Sequence, residues 1–384
     1  MTWMDPRMTD TDPAERGAVL RARYAGRRLR LGTRRSALAM AQSGMIAARL
    51  RQEVGCDVDL IPIVTEGDRS SAHISQIGGT GVFVSALRHA LAADEIDLAV
   101  HSLKDLPTAT PAGLVLAAVP TREDSRDVLV SPSGRRLGEL GPGARVATGS
   151  PRRAAQLRAL GLGLDVVAIR GNVDTRLKKA IDGEVDAVVL AYAGLARLDR
   201  LDAVTEILEP EIMLPSPGQG ALAVECLGGP DLPVAGPARA LIGAAEGPDV
   251  GRAGGQTWPD HGHSFDSDLA ELLRFVLDDA SSSVAVRAER AFLARIEAGC
   301  TAPVGALAVP APAPAPSTDA GPVAPAGDAS PAGRLRLRAV VAAPDGSTVL
   351  RRDVTGSAVD PEALGRRLAD DLLSAGAHSL MGTR

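Results

Sequence analysis

IDLAVHSLKDLP, residues 96–107, is an apolar run that ends in a pair of opposite charges. Ile96, Leu98, Ala99 and Val100 suit a buried strand, and Pro107 closes the segment. Lys104 and Asp105 are thereby delivered together where such a strand ends. Upstream, RLRLGTR from Arg28 reads as a strand entering a loop, and Ser36 as the N-cap of a helix over SALAMAQSGMIAARLRQEV. Ala37, Met40, Ala41, Gly44, Ile46 and Leu50 lie on or beside one face of that helix. VDLIPIV reads as a strand, and FVSALRHALAAD as a helix with Phe83, Leu87 and Leu91 on one stripe. Strand, helix, strand, helix, strand predicts a mostly parallel α/β sheet.

The same alternation restarts at Asp127. DVLV, ARVATGS, LDVVAIRGN and VDAVVLAYAGL read as strands, with helices from Pro151 and over VDTRLKKAID. GQGALAVEC, from Gly218, is a further strand. SSSVAVRAERAFLARIEAGC is a helix that Gly299 stops, RLRLRAVVAAPDGSTVLRRDV a hairpin turning at Pro344–Gly346, and PEALGRRLADDLLSAGA a closing amphipathic helix. The expected organisation is a flexible, polar extension over 1–27; a first α/β domain over 28–121 and 218–250; a second over 122–217; an insertion or linker over 251–283; and a small α+β domain over 284–384. Residues 228–265 are rich in Gly and Pro, and 310–333 form a low-complexity Pro/Ala run read as an exposed loop.

The 384 residues carry a net charge of −5, 45% hydrophobic side chains and only 2% aromatics. The core must therefore be aliphatic, and surface stacking platforms for nucleic acid are hardly available. Mild acidity argues against a general nucleic-acid or membrane-surface binder. Cys56, Cys226 and Cys300 are too few and too scattered for a disulfide framework or a Cys-rich zinc site, which fits a reducing cytoplasm. The N-terminal residues lack the apolar core of an export signal, and no stretch reaches the ~18 apolar residues of a membrane span. IGGTGVF lacks the Lys-Ser/Thr of a phosphate loop, and His261 and His263 stand in an unpatterned Gly-rich segment.

Three constellations carry chemistry, each with a plainer alternative. Lys104 and Asp105 either line a cleft, where a carboxylate stabilises a cation or moves a proton, or sit on a solvated turn. Arg152, Arg153, Arg170, Arg176 and Arg197, with Arg34 and Arg35, either converge on one polyanionic ligand or are scattered over helix surfaces. Cys300, in EAGCTAP, is either a thiol exposed enough to form a thioether or a packing residue.

GTRRSALAMAQ, GTGVFVSAL, HSLKDLP, TREDSRDVLV, ATGSPRRAAQL, IRGNVDTRL, LAYAGLARL, PGQGALAVEC and AERAFLARIEAGCTAPVG occur in this order over residues 32–305. Together they resemble the porphobilinogen deaminase (hydroxymethylbilane synthase) family. The resemblance implies two α/β domains like those of periplasmic binding proteins plus a small α+β C-terminal domain. It implies a transferase that joins four porphobilinogen molecules head to tail, releases four ammonia and frees a linear tetrapyrrole, in haem biosynthesis. It places a covalent dipyrromethane primer on Cys300 and the catalytic carboxylate at Asp105. Lys104, Thr148, Ser150, Arg152 and Arg153 match primer-holding positions; Arg34, Ser36, Arg170 and Arg176 match substrate-gripping ones, with Arg197 a further candidate. A serine is common in the family where Gly149 stands, and a lysine where Thr80 stands. The implied protein needs no metal and is expected to be a cytoplasmic monomer that binds neither nucleic acid nor membrane. A non-catalytic, two-lobed solute-binding protein is the competing reading; reversible anion binding without ammonia release would mark it.

Overall fold

The strand that carries the Lys104–Asp105 pair lies at the centre of a five-stranded sheet. In the computed structural model, which describes residues 12–64, 81–228, 267–297, 302–312 and 333–381, β1 (Arg28–Arg34), β2 (Asp57–Ile63), β3 (Leu98–Ser102), β4 (Leu114–Ala118) and β10 (Leu222–Leu227) assemble in the order β2-β1-β3-β10-β4. The second sheet contains β5 (Asp127–Val130), β6 (Arg145–Thr148), β7 (Asp165–Ala168), β8 (Ala187–Ala191) and β9 (Glu206–Leu208) in the order β7-β6-β8-β5-β9. Residues 66–76, Thr80, His261, His263, Gly299 and Cys300 lie outside the described residues, as does the side chain of Phe83.

In each sheet four of the five strands run the same way, as expected, and one is reversed. β1 runs parallel to β2 and β3, and β6 parallel to β7 and β8. The fourth strand of each sheet, β10 or β5, is antiparallel to both its neighbours. The cause is topological: β5 follows the passage of the chain out of the first domain, and β10 follows its return. Each sheet therefore incorporates the strand that has just crossed, and two crossing segments, near residues 119–126 and 209–221, join the domains.

Helices α2 (Ala37–Val54), α3 (Gly81–Ala92), α4 (Pro151–Ala159), α5 (Val173–Ile181) and α6 (Tyr192–Ala196) connect these strands. Ser36 caps α2 as expected, its Oγ accepting from Ala39 N at 3.3 Å. The buried face of α2 differs from the expected one: Gln42, Ser43, Ile46, Ala47, Leu50 and Val54 face inward. Gln42 is drawn in because its Nε2 donates to Ser102 Oγ at 3.0 Å.

Two expectations about chain order are corrected. Residues 13–24 are no loose extension. Pro13–Tyr24 form α1, capped by Asp12, and bury Leu20 and Tyr24 in the core of the first domain. Within the expected linker, Ser267–Leu277 form α7, which buries Leu269, Leu272, Leu273, Val276 and Leu277 in the same core. The two helices lie side by side on that core, and Arg16 pairs with Asp268 and Glu271. Read singly, each stripe was too narrow to separate from its polar or Gly-rich surroundings.

The C-terminal domain is an antiparallel sheet of β11 (Val304–Ala311), β12 (Arg334–Ala342) and β13 (Val349–Ser357). It is covered by α8 (Ala280–Arg295) and α9 (Pro361–Ser374), and α10 (Ala377–Leu380) follows. The first of these ends at Arg295, with Glu297 in the left-handed region at φ 54°, before Gly299 is reached. This domain grips both crossing segments. The buried Glu289 carboxylate accepts from Arg122 at 2.7 and 3.0 Å, from Gly218 N at 2.6 Å and from Ala308 N at 2.8 Å. A fully buried carboxylate is tolerable only with such complete pairing.

Candidate active site

Parallel strands bring their C-terminal ends to one edge, and in both domains that edge holds the candidate residues. β1 ends at Arg34, ahead of Ser36, and β3 ends at Ser102, ahead of Asp105. In the second domain, β6 ends at Thr148, ahead of Ser150, Arg152 and Arg153, while β7 ends two residues before Arg170. The edges approach one another: Gly194 on α6 lies beside Leu38 on α2, the side chain coming within 3.9 Å of where a Cβ would stand.

Asp105 sits on a single 3-10 turn, Leu103–Asp105, closed by Leu106 N donating to Leu103 O at 3.0 Å. Leu103 is buried, its N–H bonded to Ala221 O. Gly218 backs the turn. With φ +72°, and with Leu103 Cδ2 only 2.2 Å from where its Cβ would be, this position accepts only glycine without displacement. Asp105 is half-buried, and among the described residues nothing donates a hydrogen bond to its carboxylate.

Across the cleft, Thr148 Oγ1 accepts from Ser150 N at 3.2 Å, and Ser150 Oγ caps α4 by accepting from Arg153 N at 3.5 Å. Arg152 and Arg153 are buried and converge on the fully buried Asp127, each with a contact of 2.8 Å. Gln219 Nε2 donates to the same carboxylate at 2.7 Å. Arg152 also donates to Leu214 O, and Arg153 to Val189 O. Despite the cost of burial, these guanidinium groups hold the Asp127 carboxyl down at about 2.

Electrostatics link the two walls. Burial pushes the Lys104 ammonium down to about 8; Arg153 and Arg152 push in the same direction, against Asp105 and Asp127. Burial also lowers Arg176, reinforced by Arg153 and Arg170 and opposed by Asp105. Lys104, Arg152, Arg153, Arg170 and Arg176 thus share one region with two carboxylates, Asp105 and Asp127. The excess of positive charge in a partly desolvated cleft suits a ligand with several carboxylates.

Not every expected residue joins this cluster. Arg197 turns to a crossing segment: its Nη2 donates to Gly220 O at 2.6 Å, and its charged influence is Glu123. The Ser36 hydroxyl caps α2. Gly149 replaces the family's common serine where space is short, because a Cβ would lie 2.8 Å from Ile169 O. The sequence reading missed Asp127, Gln219, Glu225, Glu289 and Arg290. For the four charged residues the available signal was a charge inside an otherwise apolar strand or helix, as in DVLV, ALAVEC and AERAFL, where a charge must find a partner; Gln219 carries no such signal.

Two α/β lobes that bring a basic cluster beside the half-buried carboxylate of Asp105 define a class of protein suited to polyanionic small molecules. Comparison with known proteins specifies it. Residues 29–231 match the family model "Porphobilinogen deaminase, dipyromethane cofactor binding domain", and residues 283–313 match "Porphobilinogen deaminase, C-terminal domain". Porphobilinogen deaminase 1 of Streptomyces coelicolor is 48% identical over 93% of this chain and 98% of its own length. Porphobilinogen deaminase of Mycobacterium tuberculosis is 46% identical over 92% and 98%. The chain therefore belongs to the porphobilinogen deaminase family. A periplasmic sulfonate-binding protein of Escherichia coli aligns over 53% of the chain and 62% of its own, at 15% identity and a TM-score of 0.30; at that level the architecture is read from the sheet order itself.

Proposed function

We propose that this chain polymerises four porphobilinogen molecules head to tail into hydroxymethylbilane, releasing four ammonia. Asp105 is the reacting carboxylate, and a dipyrromethane primer is tethered at Cys300. The observation that carries this reading is the half-buried Asp105 carboxylate, unclaimed by any described donor, beside Lys104 on its own turn and within electrostatic reach of Arg176 in the second domain, which in turn neighbours Arg153 and Arg170.

The residues fit a dipyrromethane. Each of its rings bears an acetate and a propionate, and the cluster has cations in excess of its own carboxylates. When bound, the group supplies the nucleophilic ring carbon to which successive units add. Lys104 on one wall, and Ser150 and Thr148 on the other, would hold its acidic side chains. Arg152 and Arg153, already committed to Asp127, contribute charge from behind that wall rather than a free fork. To Arg170 and Arg176, with Arg34, falls the grip on the carboxylates of the incoming porphobilinogen, while the Ser36 hydroxyl is better assigned to the cap of α2. Asp105 accepts from pyrrole N–H groups and stabilises the positive charge that develops on the incoming unit as its ammonia leaves. The same carboxylate is placed to receive the ring proton lost on coupling. Arg197 is better assigned to the crossing segment than to substrate.

Incubation with porphobilinogen should yield ammonia and linear tetrapyrrole in a four-to-one ratio; reversible binding with no ammonia would overturn the proposal. In Arg170→Leu, loss of a charged hydrogen bond to a substrate carboxylate, about 1.5–3 kcal/mol, should lower kcat/KM about 10- to 100-fold. Unchanged kcat/KM would show that Arg170 is surface charge only. A monomer is the proposed state: among the described residues the exposed large apolar side chains Val19, Met45, Ile181, Leu201, Phe275 and Val359 lie on separate elements and form no one stripe. No helix among those residues is long and apolar enough to cross a membrane.

A further inference from the structure

One buried cation beneath the Asp105 turn has no part in the chemistry above. Arg290, on α8 of the C-terminal domain, is 3% exposed. Its Nη1 donates to Leu106 O at 3.1 Å, and its Nη2 donates to Pro107 O at 2.8 Å and to Thr108 O at 3.1 Å. These three consecutive carbonyls directly follow Asp105. Among the described residues no backbone N–H donates to any of them. No carboxylate of a described residue lies within 4 Å of the guanidinium. Glu225, paired with Arg88, acts on it only from a distance, and burial pushes it down to about 10.

Burying a guanidinium without an ion-pair partner is costly, and its return here is the fixing of one segment. The front of the turn is held by Leu103 against Gly218. At the rear Leu106 packs among Val119, Ala223 and Val286, and Arg290 is the one described side chain that hydrogen-bonds the backbone of the segment. We propose that Arg290 is a positioning residue for Asp105: by fastening the 106–108 carbonyls to the C-terminal domain, it sets the height and angle at which the carboxylate enters the cleft. The helix that carries it ends at Arg295, five positions before Cys300 in sequence. One rigid element thus references both the carboxylate and the stem of the segment bearing the thiol. The inference rests on Asp105 being the reacting carboxylate.

The test uses the full chain with Arg290→Met and Arg290→Lys, alongside Asp105→Ala. Primer loading is read by intact mass, folding by thermal melting, and kcat and KM per primer-loaded molecule. Misplacement of a reacting group by about 1 Å can cost up to ~100-fold. Arg290→Met should therefore lower kcat about 10- to 100-fold, with KM within about two-fold of wild type. Arg290→Lys, which keeps the charge but not the planar fork, should recover part of that loss. A merely structural arginine would lower the melting temperature and leave kcat per loaded molecule unchanged. Should the Met variant not fold, the Lys variant carries the test, and a wild-type kcat there overturns the inference. If Asp105→Ala is inactive while both Arg290 variants turn over normally, the inference fails and the proposed function stands. If Asp105→Ala itself turns over normally, the reading on which both rest is removed.

Discussion

Asp105→Ala is expected to lose nearly all turnover while melting close to wild type. The turn that carries Asp105 is closed by backbone groups and by Leu103 packing, and no described hydrogen bond uses the carboxylate. Removing it therefore subtracts little from the fold. On the proposed mechanism, what is lost is the carboxylate that would face cationic character on the pyrrole, in a region rich in Lys104, Arg153, Arg170 and Arg176. Removal of a single preorganised group of this kind typically lowers kcat about 10²–10³-fold. The loss should fall on kcat rather than KM, because the arginines proposed to hold the substrate carboxylates are left in place by the change. Steady-state ammonia release by the purified variant checks this; normal release would take Asp105 out of the mechanism.

Asp127→Asn should have the largest effect on stability. The carboxylate is fully buried and accepts from Arg152, Arg153 and Gln219. An amide of the same size leaves two buried guanidinium groups with no counter-charge, and breaking a buried pair in this way costs about 3–5 kcal/mol. That is a large fraction of a typical domain's stability. The acid limb of the stability curve should change as well. The folded pKa of about 2 lies below the ordinary 3.8, so the carboxylate's contribution is present above 3.8 and is lost as pH falls toward 2. Denaturant unfolding between pH 2 and 7 checks both effects. A variant with wild-type stability throughout would show that the Asp127 network does not hold the second domain together.

The parallel cores of both sheets were legible because each strand is a short aliphatic run bounded by turn residues, as in DLAVHS and DAVVLA. The antiparallel fourth strands were not, since strand direction depends on where the crossing segments run, and no periodicity records that. α1 and α7 escaped because each lays its stripe on a core assembled by strands and helices distant in sequence, beside the other across more than 240 residues. Within the site, the charged pair at the end of β3 and the arginines after β6 and β7 could be singled out by residue type and position. Their division of labour could not. Arg152 and Arg153 look alike in TGSPRR to a free substrate fork, yet the unremarked Asp127 claims both. Arg197 looks like a further fork, yet is spent on Gly220 O. Partners from a different strand decide such roles, and one residue's neighbours in sequence do not name them.

The most direct test of the tethered-primer account is the intact mass of purified wild-type protein beside Cys300→Ala. The account predicts that the wild type carries an increment of two pyrrole units, and that the variant lacks the increment and releases no ammonia from porphobilinogen. A wild type at its bare polypeptide mass, or the same increment persisting in Cys300→Ala, would contradict it.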